Sequence, residues 1–163
     1  MMKRVSSTLA VLCVGAALAG CSSPAQNTAF QPPSAWKATP GMFGRLQMWM
    51  TGENAQTRQI LMLIRGDKNM STAELSASSP VGGNKNVSDV KRDTITICGT
   101  QPADHFTGKG QSTTNGNTHV VEAIEGVTTT ISDSKYLVLY IRPIAVKPDA
   151  QAENALRSIC PKA

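Results

Sequence analysis

The side chains best able to do chemistry in this chain of 163 residues belong to four cysteines and two histidines. They are Cys13, Cys21, Cys98, Cys160, His105 and His119. Two thiolates and two imidazoles could together hold a zinc ion, because zinc takes four nitrogen or sulfur ligands. The sequence has neither a C-x-x-C nor an H-x-x-x-H spacing, however, and we therefore expect no metal site.

Asp104 and His105 are the nearest approach to a local catalytic pair. Neighbouring residues of a strand point to opposite faces, so we expect an exposed polar pair that does not converge. His119 lies beside a stretch rich in Gly and Asn and is expected to be exposed as well. Glu122 and Glu125 also face opposite sides of a strand, whereas glycosidase chemistry needs two convergent carboxylates. No nucleophile-elbow, zinc-protease or phosphate-loop motif is present, so we expect no catalytic residue and no cofactor.

Methionine is the other candidate ligand, because thioethers bind Cu(I). Met48 and Met50 alternate along a predicted strand, which places both side chains on one face. Methionine is also a common core filler, and this chain has only 4% aromatic residues with which to fill a core. Core packing is therefore the main interpretation, and a soft-metal site at these two residues is an alternative.

The first 20 residues are typical of a secretory signal. Lys3 and Arg4 precede an uncharged apolar stretch over residues 9–19, which is too short for a bilayer span of about 20 residues. The stretch ends in the sequence LAGC at residues 18–21. This sequence resembles the lipobox of bacterial lipoproteins. The resemblance implies cleavage before Cys21, a diacyl thioether on its sulfur and an anchor in the membrane.

The residues after the lipobox predict where the protein sits. Two or more acyl chains hold a protein stably on a membrane. Ser22 follows the lipidated position, and under the enterobacterial sorting rule a residue other than Asp favours the outer membrane, facing the periplasm. Residues 21–41 are rich in Ser, Pro, Gln and Ala, which predicts a lipidated cysteine and a flexible tether. A single domain over residues 42–163 would then stand off the membrane.

After this processing, only two of the four cysteines remain available for pairing. Cys13 leaves with the signal and Cys21 carries lipid, so Cys98 and Cys160 remain. An even pair in an oxidising compartment predicts a disulfide, with a metal site or free thiols as the alternatives. Closing a loop of about 62 residues would stabilise the fold by roughly 4 kcal/mol in the chain-entropy model.

Charge excludes one class of partner. The chain has 16 basic and 11 acidic residues, and removing Lys3 and Arg4 leaves 14 basic residues and a net charge of +3. The positive charges are scattered, and only Lys91 and Arg92 adjoin within the domain. Without a basic stripe, we expect no nucleic-acid partner.

The elements that must position these residues are mostly strands. Alternation and β-branched residues predict strands over residues 46–50, 59–64, 93–98, 103–107, 119–124, 127–131 and 135–144. A capping box that begins at Ser71 predicts a short helix that Pro80 stops. Asp149 caps a final helix that has Cys160 in its last turn and an apolar stripe of Ala152, Leu156 and Ile159. Residues 108–117 are expected to form a mobile loop and residues 125–126 a turn. The fold class is α+β, with a single antiparallel sheet and both helices packed on it.

The order of these elements resembles that of Mog1/PsbP-like domains over about residues 55–160. The likeness lies in the hairpin over residues 97–106, the strand pair that leads to Tyr140 and the closing helix. The resemblance implies a small binding or assembly module rather than an enzyme.

These features predict a membrane-tethered envelope lipoprotein with a small non-enzymatic domain. Its partners would be the membrane, through the lipid at Cys21, and an envelope protein or a small molecule. Two alternatives stay open. One is a hydrolase-like envelope enzyme that uses His105 or His119, and the other is a soft-metal lipoprotein that uses Met48 and Met50.

The lipid anchor is tested by Cys21→Ser. Because the sulfur is the site of acylation, the variant should accumulate as a larger, unprocessed precursor without lipid. Metabolic labelling with radioactive palmitate, followed by electrophoresis, reads both properties at once. Label that persists in the variant would rule out Cys21 as the lipidated residue.

Overall fold

The computed structural model describes residues 23–78, 87–114 and 118–163. A short 3-10 helix spans Pro24–Asn27, and the α-helices are α1 (Thr72–Ala77) and α2 (Ala150–Arg157). The strands are β1 (Lys37–Ala38), β2 (Leu46–Thr51), β3 (Gln59–Asp67), β4 (Ser88–Ile97), β5 (Gln101–Thr114), β6 (Thr118–Ile131) and β7 (Ser134–Pro143). They form one antiparallel sheet in the order β1-β2-β3-β7-β6-β5-β4. The predicted class, α+β with a single antiparallel sheet, is confirmed.

Strands β3 and β7, in the middle of the sheet, carry apolar residues on both faces. In β3, Leu61 and Leu63 belong to one buried cluster while Met62 and Ile64 belong to another, as strand alternation requires. The first cluster also holds the buried residues of α2, and the second holds Leu75 of α1. We call these two sides of the sheet the α2 face and the α1 face.

The α2 face is built around the last helix. Asp149 caps α2, and its Oδ1 accepts hydrogen bonds from the backbone nitrogens of Gln151 at 2.8 Å and Ala152 at 3.2 Å. Leu156 is fully buried in the same cluster as Val138 of β7. The apolar stripe predicted for this helix is therefore the side that faces the sheet.

The hydroxyl of Tyr140 ties the start of α2 to the sheet. It accepts a hydrogen bond from the backbone nitrogen of Asp149 at 2.9 Å and donates one to Oε1 of Gln59. Burial raises the pKa of Tyr140, chiefly because the phenolate would lose its hydration. The phenol therefore stays protonated and able to donate.

Cys98 and Cys160 are joined by a disulfide, as predicted. The bond ties the residue after β4 to the segment after α2, and their Cα atoms are 5.7 Å apart. One detail of the prediction is wrong, because α2 ends at Arg157 and Cys160 lies beyond its last turn. The chain leaves the helix there because Ile159, fully buried, continues the α2-face cluster in a non-helical backbone.

Residues 23–41 pack against the domain, and the prediction of a flexible tether over residues 21–41 is wrong for them. Phe30 and Trp36 are only 8% and 7% exposed and belong to the α2-face cluster. The ring of Phe30 lies 5.3 Å from that of Trp49, and the ring of Trp36 lies 6.1 Å from that of Tyr140, between centroids. The folded unit therefore begins by Ser23 instead of residue 42, while residues 21 and 22 lie outside the described residues.

Hydrogen bonds fix this N-terminal segment along α2. The backbone nitrogen of Ala29 donates to the backbone oxygen of Cys160 at 2.8 Å, and that of Gln31 donates to Oγ of Ser158 at 3.0 Å. Polar composition favoured the tether interpretation. It was overridden because each buried aromatic ring removes roughly 150–250 Å² from water.

The hairpin of β5 and β6 is longer than predicted. The expected loop over residues 108–117 is strand up to Thr114, and residues 115–117 lie outside the described residues. The expected turn at residues 125–126 is also wrong, because β6 runs through it. Gly126 allows close packing there: a Cβ on it would come within 2.3 Å of Cε1 of Phe106.

On the α1 face, the predicted capping box is present. Oγ of Ser71 accepts from the backbone nitrogen of Glu74 at 3.2 Å, and the Glu74 carboxylate accepts from that of Ser71 at 2.6 Å. These hydrogen bonds lower the pKa of Glu74. The predicted stop at Pro80 lies outside the described residues. Leu75 packs against Gly66, where a Cβ would meet Cδ2 of Leu75 at 2.5 Å.

Candidate functional site

Part of the α2 face on β4, β5 and β6 is open and carries polar side chains. Residues 88–94 of β4 are exposed along their whole length. The strand registers bring the α2-face residues of these strands side by side. We call this surface the platform, and its members are Lys91, Asp93, His105, Thr107, Lys109, Ala123 and Glu125.

His105 lies at the centre of the platform between two carboxylates. Its Nδ1 is 2.5 Å from Oδ1 of Asp93, and its Nε2 is 2.9 Å from Oε1 of Glu125. Asp93 is the register partner of His105 on β4. On β6 the register partner of His105 is Val127, and Glu125 lies two residues before it, opposite Thr107. The His105 side chain is only 12% exposed, so the predicted exposed position is wrong. The prediction that Asp104 does not converge with it agrees with the alternation of β5.

Asp93 and Glu125 each place a carboxylate oxygen within hydrogen-bond distance of one ring nitrogen of His105. Nη2 of Arg157, on α2, lies 3.9 Å from the same Oε1 of Glu125. The cluster thus links β4, β5, β6 and α2 through the contacts of His105 and Arg157 with carboxylates. In a serine triad one ring nitrogen faces the nucleophile, whereas here both face carboxylates.

A groove of about 570 Å³ adjoins this cluster at the end of the platform. It is lined by Asp89, Val90, Lys91, Thr107, Gly108, Lys109, Ala123 and Ile144. A volume of this size is within the range of small-molecule sites, about 300–1,000 Å³. A shift in register between Ser88 and Lys91 interrupts β4 beside the groove.

The groove combines apolar surface with ammonium groups. Ile144 is a large apolar residue with an exposed side chain, and Ala123 also lines the groove, whereas the side chain of Val90 lies beside Gly108 on the α1 face. Nζ of Lys109 lies 3.0 Å from Oδ2 of Asp89, whereas Lys91 has no ion pair among the described residues. Such a surface suits a ligand with an apolar body and an anionic group. Sequence reasoning missed these residues. The alternation of β5 places Thr107 and Lys109 on one face, but only the register brings Lys91 to them.

The second histidine is not part of this site. His119 is exposed on β6, opposite Thr113. It lies eight residues before Val127, the β6 partner of His105, which is about 27 Å along a strand. The structure therefore does not bring the two histidines together. Glu122 and Glu125 lie on opposite faces of β6, as predicted.

The methionines lie on the other side of the sheet. Met48 pairs with Met62, which is fully buried, and Met48 itself packs against the α1-face cluster. Met50 pairs with Ile60 on the same face. These contacts are those of core residues. In the described ranges, no group of three or more His, Cys, Asp or Glu residues is placed to hold a metal ion.

No family model and no curated protein matches this chain. Among solved structures it is similar to LpqN of Mycobacterium tuberculosis, described as involved in cell envelope biogenesis. The TM-score is 0.41, the identity is 13%, and 78% of each chain is covered. A likeness this weak identifies neither a family nor a function. The resemblance to Mog1/PsbP-like domains stays a prediction. Over residues 23–78, 87–114 and 118–163, no helix has the length and apolarity needed to cross a membrane.

The two histidines form a matched pair for mutation. His105→Ala should lower the free energy of unfolding by about 1 kcal/mol, because it leaves two carboxylates without their shared donor. His119→Ala should change it by less than about 0.5 kcal/mol, since His119 is exposed. Urea unfolding followed by circular dichroism measures both. Equal losses in the two variants would contradict a stabilising role for the His105 cluster.

Proposed function

We propose that the protein is a bacterial envelope lipoprotein, anchored through Cys21, whose domain binds an amphipathic anion in the platform groove. The observation that carries this proposal is the groove itself, where Lys91 and Lys109 accompany Ala123 and the exposed side chain of Ile144. An apolar body would displace water from Ile144 and Ala123. An acidic group would pair with a lysine.

The anchor is supported by the N-terminal sequence. A basic start, an uncharged apolar stretch and the sequence LAGC at residues 18–21 occur in the order that a lipoprotein signal requires. Ser22 at the next position favours the outer membrane, on its periplasmic side. The Cys98–Cys160 disulfide is compatible with this oxidising compartment.

Binding is favoured over catalysis by the geometry of His105. A general base needs a free nitrogen within reach of the proton that it removes. Both nitrogens of His105 already lie within 2.9 Å of carboxylate oxygens. Met48 packs against the α1-face cluster and Met50 lies opposite Ile60 in the sheet, which favours a core role over copper binding. The platform is therefore proposed as a binding surface.

A photoreactive fatty acid tests the groove in the lipidated protein. Palmitic acid carrying a diazirine is added to the full protein in lipid nanodiscs, irradiated, and the labelled peptide is identified by mass spectrometry. Label is expected in peptides that contain residues 89–91 or Ile144. Lys91→Glu should reduce the yield about tenfold, because it replaces a favourable charge by a repulsive one at a cost of more than about 1.4 kcal/mol.

Lys37→Glu is the matched control, because it makes the same charge change at an exposed residue of β1. It should leave the yield unchanged. Ile144→Asp should reduce the yield as Lys91→Glu does, since it removes the apolar contact. Labelling spread evenly over the surface, or the same yield in the Lys91 and Lys37 variants, would overturn the proposed site.

A further inference from the structure

A tight turn before β2 exposes two large apolar side chains. Residues 42–45 form this turn, in which the backbone nitrogen of Arg45 donates to the backbone oxygen of Met42 at 2.9 Å. Phe43 is 89% exposed and Met42 is 48% exposed. Phe43 and Gly44 both have positive φ, 49° and 66°. Positive φ is uncommon for a bulky residue, and the ring gains almost no burial in return, so packing within the domain does not account for Phe43.

The described chain begins beside this turn. Oγ of Ser23 donates a hydrogen bond to Oε1 of Gln47, the second residue of β2. Only Ser22 lies between Cys21 and Ser23, so the covalent chain holds the Cα atoms of these two residues within about 7 Å. The predicted tether would have allowed a separation of about 65 Å between domain and anchor. Because residues 23–41 are docked, a lipid on Cys21 would instead hold this end of the sheet at the membrane surface.

The same end of the sheet is moderately basic. Arg45 is exposed and has no ion pair among the described residues, and Arg65 lies with it around a cavity of about 250 Å³ that Phe43 also lines. Nε of Arg65 donates to Oγ of Ser134 at 2.9 Å. Two carboxylates are also present. Asp67 lines the cavity, and Asp133 pairs with Lys68 at 3.1 Å. Three cations thus accompany two anions around an exposed aromatic ring.

From this juxtaposition we infer that residues 42–45 form a second membrane contact, in which Phe43 and Met42 enter the interface of an acidic lipid layer beside Cys21. The inference rests on the lipidation proposed above. Apolar side chains such as Phe, on a surface that also carries Lys or Arg, enter the boundary between headgroups and acyl chains, and Arg45 would face the acidic headgroups. A second contact would also fix the orientation of the domain, which a single flexible anchor does not.

A spin label at Met42 tests this contact in the full lipidated protein. In the mature chain Cys21 is acylated and Cys98 and Cys160 are paired, so Met42→Cys introduces the only free thiol. The protein is reconstituted in vesicles of phosphatidylcholine with phosphatidylglycerol. Electron paramagnetic resonance then compares collisions of the label with oxygen, which enters lipid, and with a water-soluble nickel complex. The Met42 label is expected to collide several-fold less with nickel than a label at Ile144→Cys.

Ile144 is the matched control, because it is 50% exposed and lies in the groove at the other end of the strands. A second variant, Phe43→Asn, keeps the turn, since Asn tolerates positive φ, and removes the apolar ring. It should return the Met42 label to water without changing the mass of the acylated Cys21 peptide.

Mass spectrometry of that peptide separates the two proposals. Equal nickel accessibility at Met42 and Ile144 in acylated protein would overturn the second contact and leave the anchor intact. A Cys21 peptide without acyl mass would overturn the anchor and this inference with it.

Discussion

The packing of Phe30 and Trp36 onto the α2 face of the sheet is the constraint on which the rest of the arrangement depends. Phe30 lies against Trp49, and Trp36 lies against Tyr140 beside Asp149, the cap of α2. These two rings complete the α2-face cluster over β2 and β7. They are needed because two of the three buried residues that α2 supplies, Ala152 and Ala155, are small. The segment that carries them is also bonded to the backbone of Cys160. Because the disulfide fixes the same residue to the end of β4, the N-terminal segment, the helix and the far edge of the sheet are held as one unit.

Because the N-terminal segment is docked, a lipid on Cys21 would fix the orientation of the domain on the membrane. If residues 23–41 were free, the lipid on Cys21 would not determine which side of the domain meets the membrane. With Ser23 held at Gln47, the anchor and the exposed turn around Phe43 occupy the same end of the strands. The groove beside Ile144 lies at the opposite end. The proposed ligand site would then face away from the membrane surface and into the aqueous space.

Sequence reasoning succeeded where the signal was local. The capping box at Ser71, the Asp149 cap, the apolar run of β3 and the pairing of the last two cysteines were all predicted and are all present. It failed where long-range contacts decide. The Glu-Gly pair at residues 125–126 predicts a turn, whereas Gly126 makes room for the ring of Phe106 within β6. The local sequence predicts an exposed His105, because its carboxylate partners lie 12 and 20 positions away and meet it only through strand register. The groove depends on the same register and on an irregularity in β4.

The docked N-terminal segment is the central claim, and amide hydrogen exchange tests it most directly. In the full lipidated protein, the amides of Ala29 and Thr39, which donate to backbone oxygens of Cys160 and Met48, should exchange as slowly as interior amides of α2. Slow exchange is expected because these hydrogen bonds open only when the α2-face cluster opens. Exchange of both amides at the rate of an unstructured peptide, with α2 still protected, would show that the segment is a free tether and would contradict the account.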